Sequence, residues 1–306
     1  MKYISVIIPH HNSWQKLNEL LNTIPLNDDI EVIVIDDNSE DQENKLSEFS
    51  TKYPNFIFKK NYSKNIGAGA ARNVGLSYAT GEWVIFADAD DLFMENFYTS
   101  VKNKLNDPYD IIYFTPTSFI DGTDKISRRH IIYKELVSGY IFNPSKTTEL
   151  NLRYNFHVPW SKMIKRNIIV ENKLLFEEIM YSNDILFSAK IGYFASSIKG
   201  SEEIIYSVRE STSSLTSTMD DKKFKIRFNA WIDFVNFLYR KLDNQEIKLL
   251  RISAIPQILQ IRKNNLGIKS FSYIIRKSIK NKIPLVNPNQ VIEKIGSLTN
   301  KVSKRK

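Results

Sequence analysis

Apolar residues in the first ninety positions alternate between short continuous runs and helical spacing. Continuous runs are typical of strands covered on both faces, and they occur at 3–8, 30–35, 56–58 and 83–87. Helical spacing follows the first run, at Trp14, Leu17, Leu21 and Ile24. Two more helices are predicted, up to about Lys52 and up to about Ala79. The alternation predicts an α/β fold with a mostly parallel, Rossmann-like sheet flanked by helices.

Beyond residue 100 the pattern is less regular. A further strand is predicted at 111–114, and the polar, basic segment 122–130 predicts a loop. From about residue 219 apolar residues return to helical spacing, and Pro256 marks a kink or a break there. Because lysines and arginines lie between the apolar positions, residues 218–306 are predicted to form a basic, amphipathic helical appendage.

Carboxylates end two of the predicted strands. The pair Asp36-Asp37 follows the second strand. A cluster of three aspartates follows the fourth strand, at Asp88, Asp90 and Asp91. Because ligands of open α/β sheets bind beyond the carboxyl ends of the strands, both groups are candidates for one site. Asp36 and Asp37 could instead be turn residues, followed by a capping box of Ser39 and Gln42.

The three clustered aspartates repel one another unless a cation lies between them. Their oxygens are hard ligands that suit Mg²⁺ or Mn²⁺, and these ions are usually shared with substrate phosphates. A solvated acidic turn is the alternative interpretation.

Small residues and an arginine stand at the start of the third helix. Gly67 and Gly69 precede Arg72, and backbone N–H groups and an arginine at a helix start can face phosphate. The glycine spacing does not match the dinucleotide fingerprint, which excludes a nicotinamide site, and a plain tight turn is the alternative. With a carboxylate that can accept from a base or a ribose hydroxyl, and with a metal on the acidic cluster, these residues predict a nucleoside-diphosphate site.

Composition narrows the classes of protein that fit. The 306 residues are 42% hydrophobic and 25% charged, which is enough for a packed core. There is no cysteine, which excludes disulfides and thiolate metal sites. No apolar run reaches the ~18 residues of a membrane-spanning helix, and the short, quickly polar N-terminus does not resemble a signal peptide. We therefore expect a cytoplasmic protein.

The net charge of +9 is concentrated near the end of the chain. From Arg262 onward Glu293 is the only acidic residue among many lysines and arginines. Apolar residues recur between them at helical spacing, at Ile268, Phe271, Ile275 and Ile279. Such a segment can make a peripheral contact with an anionic membrane, here the inner face of the cell membrane. An anionic acceptor, nucleic acid or a merely solvated helical face are the alternatives.

Four linked segments carry a resemblance to a known family. They are Ser5-Val6-Ile7-Ile8-Pro9-His10-His11-Asn12, Val34-Ile35-Asp36-Asp37-Asn38-Ser39, Asn65-Ile66-Gly67 with Ala71-Arg72-Asn73-Val74-Gly75, and Ala87-Asp88-Ala89-Asp90-Asp91. In order and spacing they resemble the family 2 glycosyltransferases, which have the GT-A fold. The resemblance is close over residues 3 to about 100 and thinner beyond. It implies a nucleotide-sugar-binding half at 1–100, an acceptor-binding half at 101–217 and a separate C-terminal region at 218–306.

The resemblance implies roles for the donor-site residues. Pro9 and Asn12 would line the nucleotide pocket, and Asp37, with Asp36 beside it, would contact the base, which is usually uracil. Two further residues would lie near the donor, Gly67 and Arg72.

The acidic cluster would be the family's DxD motif. Asp88 would lie near the ribose and sugar, and Asp90 would be the principal ligand of Mn²⁺ or Mg²⁺, with Asp88 beside it. The resemblance therefore implies a divalent metal as cofactor.

A later segment resembles the one in which relatives carry Glu-Asp before a helix. Here the pair is Asn183-Asp184, so the aspartate is kept and the glutamate is not. In relatives this aspartate is the general base that takes the proton from the acceptor hydroxyl, which implies that role for Asp184. Asp184 could instead only cap the helix, and Glu177 or Glu178 would then be the base.

Three further features belong to the resemblance, and two of them, the histidine pair and Arg209, leave alternatives open. His10 and His11 stand where many relatives carry Tyr or Phe, and they could hold a metal or wall the pocket. Trp160-Ser161-Lys162 resembles a Trp-x-Lys segment that packs next to the active site. Arg209 could meet the diphosphate or lie on the surface of a strand.

Taken as a whole, the resemblance implies a metal-dependent, inverting hexosyl- or N-acetylhexosaminyltransferase. It would move a sugar from a nucleotide donor, with UDP-sugar favoured, to a glycan or lipid-linked oligosaccharide in the synthesis of surface polysaccharide such as capsule or O-antigen. The sequence lacks a long apolar segment and the Gln-x-x-Arg-Trp pattern of processive polymerases, so we expect transfer of a single sugar.

Two other classes of protein are alternatives. A strand followed by Asp-x-Asp also opens haloacid-dehalogenase-like phosphatases, but that interpretation leaves Asp36 and Asp37 unexplained. A basic adaptor could bind nucleic acid through residues 262–306, with a degenerate transferase domain. No nucleic-acid-binding motif supports the adaptor, and nucleic acid is not the expected partner.

Overall fold

The computed structural model describes residues 3–211 and 219–287. The chain divides into two compact units, Met1–Ser214 and Leu215–Lys306. The basic residues from Lys294 to Lys306 lie outside the described residues.

The first unit alternates strands and helices. Its strands are β1 Ile4–His10, β2 Ile30–Asp36, β3 Ile57–Lys60, β4 Trp83–Phe86, β5 Leu92–Phe93, β6 Ile111–Phe114, β7 Thr117–Ile120, β8 Lys162–Lys165, β9 Ile198–Ser201 and β10 Tyr206–Glu210. Its helices are α1 Trp14–Asn22, α2 Gln42–Lys52, α3 Ala68–Tyr78, α4 Phe97–Lys102, α5 Ile131–Phe142, α6 Lys146–Asn155, α7 Arg166–Glu171 and α8 Ile185–Phe194.

The main sheet has the order β3-β2-β1-β4-β8-β6-β9. All pairs are parallel except those of β8, which runs antiparallel to both β4 and β6. β1, β2 and β4 are buried along their whole length, as their continuous apolar runs predicted. The mostly parallel sheet flanked by helices is therefore confirmed.

A strand from the second half of this unit completes the pairing of the first half. β8 lies between β4 and β6, with Trp83 opposite Lys165 and Ile111 opposite Ile164. This strand could not be predicted from a hydrophobic period, because Lys162–Lys165 combines two lysines with only two apolar residues.

β1 and β4 stop pairing before β1 ends, and the place where they part is called the crevice between β1 and β4. β1 extends to His10 and not to Ile8 as expected, because its pairing with β2 continues to the partners His10 and Asp36. Its pairing with β4 ends earlier, where the N–H of Ala87 donates to the carbonyl of Ile7 at 3.1 Å. By strand alternation Pro9 faces the side that β4 has left, so its missing N–H costs no ladder hydrogen bond. The strand order reverses at this point, which is where ligands of such sheets bind.

A small second sheet has the order β5-β10-β7, and its first strand, β5, directly follows the acidic segment in sequence. β10 runs antiparallel to β5 and parallel to β7. It therefore joins the acidic segment, which precedes β5, to residues more than a hundred positions later.

The second unit is helical, as predicted. Its helices are α9 Asp221–Lys241, α10 Asn244–Leu250, α11 Ile255–Lys263 and α12 Ile268–Lys280. Pro256 lies in the first turn of α11, so it marks a break and the start of a new helix. No helix among residues 3–211 and 219–287 combines the length and the apolar character that crossing a membrane requires.

Candidate active site

Asp36, at the end of β2, is enclosed by hydrogen-bond donors. His10 Nδ1 lies 2.7 Å from one of its oxygens, and the hydroxyl and backbone N–H of Ser39 donate to it over 2.5 and 3.0 Å. The Gln42 amide also donates to it. The predicted capping box is therefore wrong: Asp41 is the N-cap of α2, and Ser39 and Gln42 serve Asp36 instead.

These donors change the protonation of Asp36. Burial alone raises the pKa of this carboxyl, but the hydrogen bonds from His10, Ser39 and Gln42 outweigh it and lower the pKa below its ordinary value. The side chain has no exposed surface. Asp36 is thus ionised at neutral pH and supports the loop that carries Asp37.

Asp37 joins three elements at the same edge. Its carboxylate accepts from the Asn61 amide at 2.7 Å and from the backbone N–H of Gly67 at 2.5 Å. Gly67 has φ +111°, a conformation that favours glycine, and it is the N-cap of α3. A carboxylate has about four acceptor positions, so Asp37 keeps capacity for a ligand donor.

The histidine pair divides into a buried and an exposed residue. His10 is buried, and its second nitrogen accepts from the N–H of Ser13 at 3.1 Å, so both of its ring nitrogens have partners. His11 is exposed, and its Nδ1 donates to the carbonyl of Asp37 at 2.8 Å. Asn12 ties this loop to the next, because its N–H donates to the Ser39 hydroxyl at 2.8 Å. The pair positions loops, and His10 has no ring nitrogen left for a metal.

The acidic turn after β4 is braced by Tyr206 of β10. The Tyr206 hydroxyl accepts from the N–H of Asp88 at 2.8 Å and donates to Asp91 at 2.9 Å. The N–H of Arg209 donates to the other oxygen of Asp91 at 2.8 Å. Burial and the charges of Asp90 and Asp88 nevertheless raise the pKa of Asp91 well above its ordinary value. Asp91 is the anchor of this turn and lies almost wholly inside the protein.

Asp90 is the carboxylate of the turn without a partner. No other residue within 3–211 and 219–287 donates a hydrogen bond to it, and burial and the charge of Asp88 raise its pKa. The same residues contain no group of three acidic, histidine or cysteine side chains that could enclose an ion. Asp90 with Asp88 fits a divalent metal that takes one or two carboxylates from a protein and its other oxygens from a ligand and water.

Arg72 connects the acidic turn to the segment before α8. One of its terminal nitrogens lies 2.5 Å from Asp88 and the other donates to the Asn183 side chain at 3.0 Å. Its guanidinium also lies 5.2 Å above the ring of Phe176. The arginine is buried, so its direct charge partner in the protein is Asp88.

Gly69 explains how that segment comes so close to α3. A Cβ at this position would lie 2.3 Å from the carbonyl oxygen of Glu177 and 2.9 Å from Cβ of Asn183. The small residues at the start of α3 thus admit the backbone of residues 177–183. Sequence reasoning assigned the glycines to phosphate and missed this packing, although a run of small residues is its usual signal.

Asp184 lies directly before α8 but its side chain does not cap that helix. Burial raises the pKa of its carboxyl, and the charge of Asp88 adds to this, whereas Arg72 and Lys162 oppose it. Glu178 is exposed and accepts from Asn65 and Asn73, and Glu177 pairs with Lys190 at 3.4 Å.

The Trp-x-Lys segment, Trp160 to Lys162, contacts both Tyr206, which braces the acidic turn, and the start of α8, which follows Asp184. Trp160 stacks on Tyr206, with ring centroids 5.7 Å apart. Lys162 is buried, and its ammonium donates to the carbonyl of Phe156 at 2.7 Å and to the Ser188 hydroxyl at 3.2 Å. Burial lowers the pKa of Lys162 to about 7, against the opposing charge of Asp184.

Arg209 is a buried bridge. Its guanidinium donates to the backbone carbonyl of Asp90 at 2.6 Å and pairs with Asp121 and Glu19, each at 2.6 Å. Arg209 was expected either to contact the diphosphate or to lie on the surface of a strand, and it instead fixes the acidic turn from inside the protein.

Comparisons with known proteins place these features in a family. The model of the family described as "Glycosyl transferase family 2" matches residues 5–171. The chain is 24% identical over 230 residues to the putative glycosyltransferase EpsH of Bacillus subtilis, which covers 72% of this chain and 65% of the relative. The chain thus spans less than two thirds of that relative's length.

Two solved structures share the fold. TarS 1–349 of S. aureus in complex with UDP-GlcNAc matches with a TM-score of 0.61 and 22% identity, over 82% of this chain and 71% of that one. The mannosyltransferase PcManGT of Pyrobaculum calidifontis, in complex with GDP-Man and Mn²⁺, matches with a TM-score of 0.56 and 18% identity, over 81% and 67%.

Proposed function

The chain belongs to glycosyl transferase family 2, and on that premise we propose that it transfers one sugar from a nucleoside-diphosphate donor to a glycan or lipid-linked acceptor. Its fold is of the GT-A type. The observation that carries the proposal is the bridge formed by Arg72, which ties the acidic turn at Asp88 to the segment that ends in Asp184.

The proposed donor is a UDP-sugar, bound at the crevice between β1 and β4 by the 1–100 half. Asp37 would accept from the base, on a loop that Asp36 and Asn12 hold in place. Pro9 lines the crevice without a competing N–H. The UDP-GlcNAc complex of TarS, which shares the fold, supports this class of donor.

Asp90 is the proposed principal metal ligand, with Asp88 beside it. A bound Mn²⁺ or Mg²⁺ would neutralise the charge of the leaving nucleoside diphosphate. Arg72 forms an ion pair with Asp88 next to Asp90, and Arg209 fixes the backbone of Asp90. The Mn²⁺ in the PcManGT complex supports this choice of ion.

Asp184 is the proposed general base of an inverting transfer. Its side chain makes no helix cap, so its oxygens remain available to an acceptor hydroxyl. Arg72 and Lys162 favour the ionised form that can take the proton. The 101–217 half would hold the acceptor, and we expect this to happen on the cytoplasmic side of the membrane during surface polysaccharide synthesis.

A thermal-shift panel joined to a transfer assay tests this proposal. UDP-, GDP- and dTDP-sugars, each with and without Mn²⁺, are added to the wild type, Asp90→Asn and Asp184→Asn. A ligand at ~100 times its Kd adds about 2.7 kcal/mol of stability, which is readily measured as a higher Tm. One UDP-sugar should stabilise the wild type in a Mn²⁺-dependent way.

The two variants should then separate. Asp184→Asn should keep the donor-induced shift and lose ~10²–10⁴-fold in transfer, whereas Asp90→Asn should lose both. Glu178→Gln is the matched control and should behave as the wild type. Normal transfer by Asp184→Asn would refute the base assignment, and no response to any nucleotide sugar would favour the basic adaptor.

A further inference from the structure

The last helix of the second unit has an inverted distribution of side chains. The α12 residues that are fully buried include two serines, Ser270 and Ser278, each with 0% of its surface exposed. Large apolar residues of the same helix are exposed instead, with 79% of the surface of Ile268 and 66% of that of Ile279 in contact with solvent. A helix that packs only against its own domain shows the opposite distribution.

The buried side of α12, which includes Ile274, packs against α9, and several polar contacts also join the two helices. The Tyr273 hydroxyl donates to Asn229 at 2.8 Å, and Ser270 donates to Asp221 at the start of α9. Asn281, directly after α12, accepts from Asn236 at 2.9 Å. The position of α12 is therefore fixed without its exposed isoleucines, which leaves their exposure without a role in the folding of this unit.

The exposed apolar residues form one stripe, and basic residues border it. The exposed Ile268 and Ile279 and the half-buried Ile275 fall within about 40° of one another at 100° per residue, and the exposed Phe271 extends the stripe on one side. On the other side, beyond Ser272, the residues are all basic, Lys269, Arg276 and Lys280. No acidic residue occurs between Glu246 and Glu293 to offset them.

We propose that this face of α12, the apolar stripe with its basic border, is a docking surface for an anionic lipid membrane. The isoleucines and Phe271 would enter the boundary between head groups and acyl chains, while the three basic residues would meet anionic head groups. This deepens the proposed function, since a lipid-linked acceptor would be presented at that surface, but binding itself does not depend on glycosyl transfer.

Charge and apolar character together select this occupant. A second copy of the chain in a two-fold contact would bring the same basic border against itself, which is repulsive. Nucleic acid would engage the basic residues but would leave the isoleucine stripe exposed to water. An anionic membrane can bury the apolar stripe and also pair its head groups with the basic border.

Co-sedimentation of the full-length chain with vesicles tests the proposal. Phosphatidylglycerol mixed with phosphatidylcholine should retain the wild type, and phosphatidylcholine alone should not. Changing Lys269, Arg276 and Lys280 to Gln should weaken binding to the mixed vesicles on the order of 100-fold. Ile268→Ser with Ile279→Ser should weaken it on the order of tenfold or more. All five positions are exposed or border exposed surface, so an unchanged Tm would confirm folding.

Matched controls use exposed residues of the first unit. Lys125, Lys134 and Lys173 changed together to Gln remove the same charge, and Ile132→Ser with Val170→Ser remove similar apolar surface. Both control variants should bind vesicles nearly as the wild type does. Equal losses in test and control variants would reduce the effect to net charge and overturn the proposal.

Other outcomes also decide the question. Retention on neither vesicle, or equal retention on both, would overturn it. Concentration-dependent dimerisation that Ile268→Ser abolishes would assign the stripe to a second copy, and salt-sensitive binding to DNA in preference to vesicles would assign the border to nucleic acid. Hydrolysis of the UDP-sugar, measured without vesicles in the same preparations, separates failure of this surface from failure of the proposed activity.

Discussion

The two acidic positions of the sheet edge have the same sequence pattern and opposite environments. Asp36 follows β2 and receives donors from three side chains, so its pKa is lowered despite burial. Asp90 follows β4, and its carboxylate receives no hydrogen bond from another residue that the structure describes, so burial and Asp88 raise its pKa. A carboxylate whose oxygens already accept hydrogen bonds, as in Asp36, supports the structure. A carboxylate without donors that is repelled by a neighbouring carboxylate, as Asp90 is by Asp88, is suited to binding a cation. The difference lies in the donors around each residue and not in the residue type.

The largest expected effect comes from removing the charge of Asp90. Asp90→Asn should lower transfer by ~10³-fold or more, because a metal supplies several kcal/mol of charge stabilisation. It should not lower the Tm without metal, since the substitution also removes repulsion from Asp88 and Asp91. Steady-state kinetics and thermal unfolding measure the two quantities, with Asp28→Asn as the control on an exposed aspartate. A large loss of Tm would mean that Asp90 is structural.

Asp36→Asn tests the structural member of the comparison, and its expected effect is on stability. The amide removes a charge that several donors stabilise and presents an N–H₂ group to them, so we expect unfolding to be easier by about 2–4 kcal/mol. Because the pKa of Asp36 is lowered in the fold, its contribution is present at neutral pH and is lost as the pH falls through the folded-state pKa. Denaturation in urea at neutral and acid pH should therefore show a difference that shrinks in acid. A constant difference would contradict the assignment.

Tyr206→Phe tests the brace beneath the acidic turn. The change leaves the Asp88 N–H without its acceptor and Asp91 without one of its donors, in a buried place. We expect a loss of about 1–3 kcal/mol in the free energy of unfolding and a higher Mn²⁺ requirement, because the turn is less ordered. Tyr78→Phe, at an exposed tyrosine, is the control. An unchanged Mn²⁺ requirement would separate the brace from the metal site.

The smallest effect concerns Asp184. Burial raises its pKa, as for Asp90, but the nearby positive charges of Arg72 and Lys162 oppose the rise. Lys162→Met removes a charge that favours its ionised form, so the pKa of Asp184 should rise further. A base acts above its pKa, and the acid limb of the kcat/KM profile should therefore move to higher pH. Lys165→Met, on the same strand but away from Asp184, should leave the limb in place. A shift of the limb to lower pH would show that the charge of Lys162 does not stabilise the ionised form of Asp184, the proposed base.

The first half of the α/β unit was predictable because its information is local. The runs at β1, β2 and β4 predict strands, and the polar residues after them predict a common edge. The order and antiparallel direction of β8 were not predictable from Lys162–Lys165, because two lysines in four residues carry no strand period.

The hydrogen-bond and ion-pair partners of the site residues were the other part that could not be predicted from the sequence. His10 was an open alternative between metal ligand and pocket wall, and the structure makes it a support for Asp36. Arg209 was expected at phosphate or on the surface, and it bridges three acceptors inside the protein. Such partners are close in space but more than twenty residues apart in sequence, so no local pattern encodes them.

The place of β8 has a consequence for synthesis on the ribosome. β4 has β1 on one side as soon as it emerges, but its other edge is closed only by β8, about 75 residues later. At ~5–20 residues per second that edge stays open for roughly 4–15 s, and an unpaired apolar strand invites pairing with another chain. A nascent chain arrested between Phe86 and Lys162 should therefore be more dependent on chaperones than one arrested after Lys165. We therefore expect that the first hundred residues, whose strands are readily predicted from the sequence, do not fold as an independent unit.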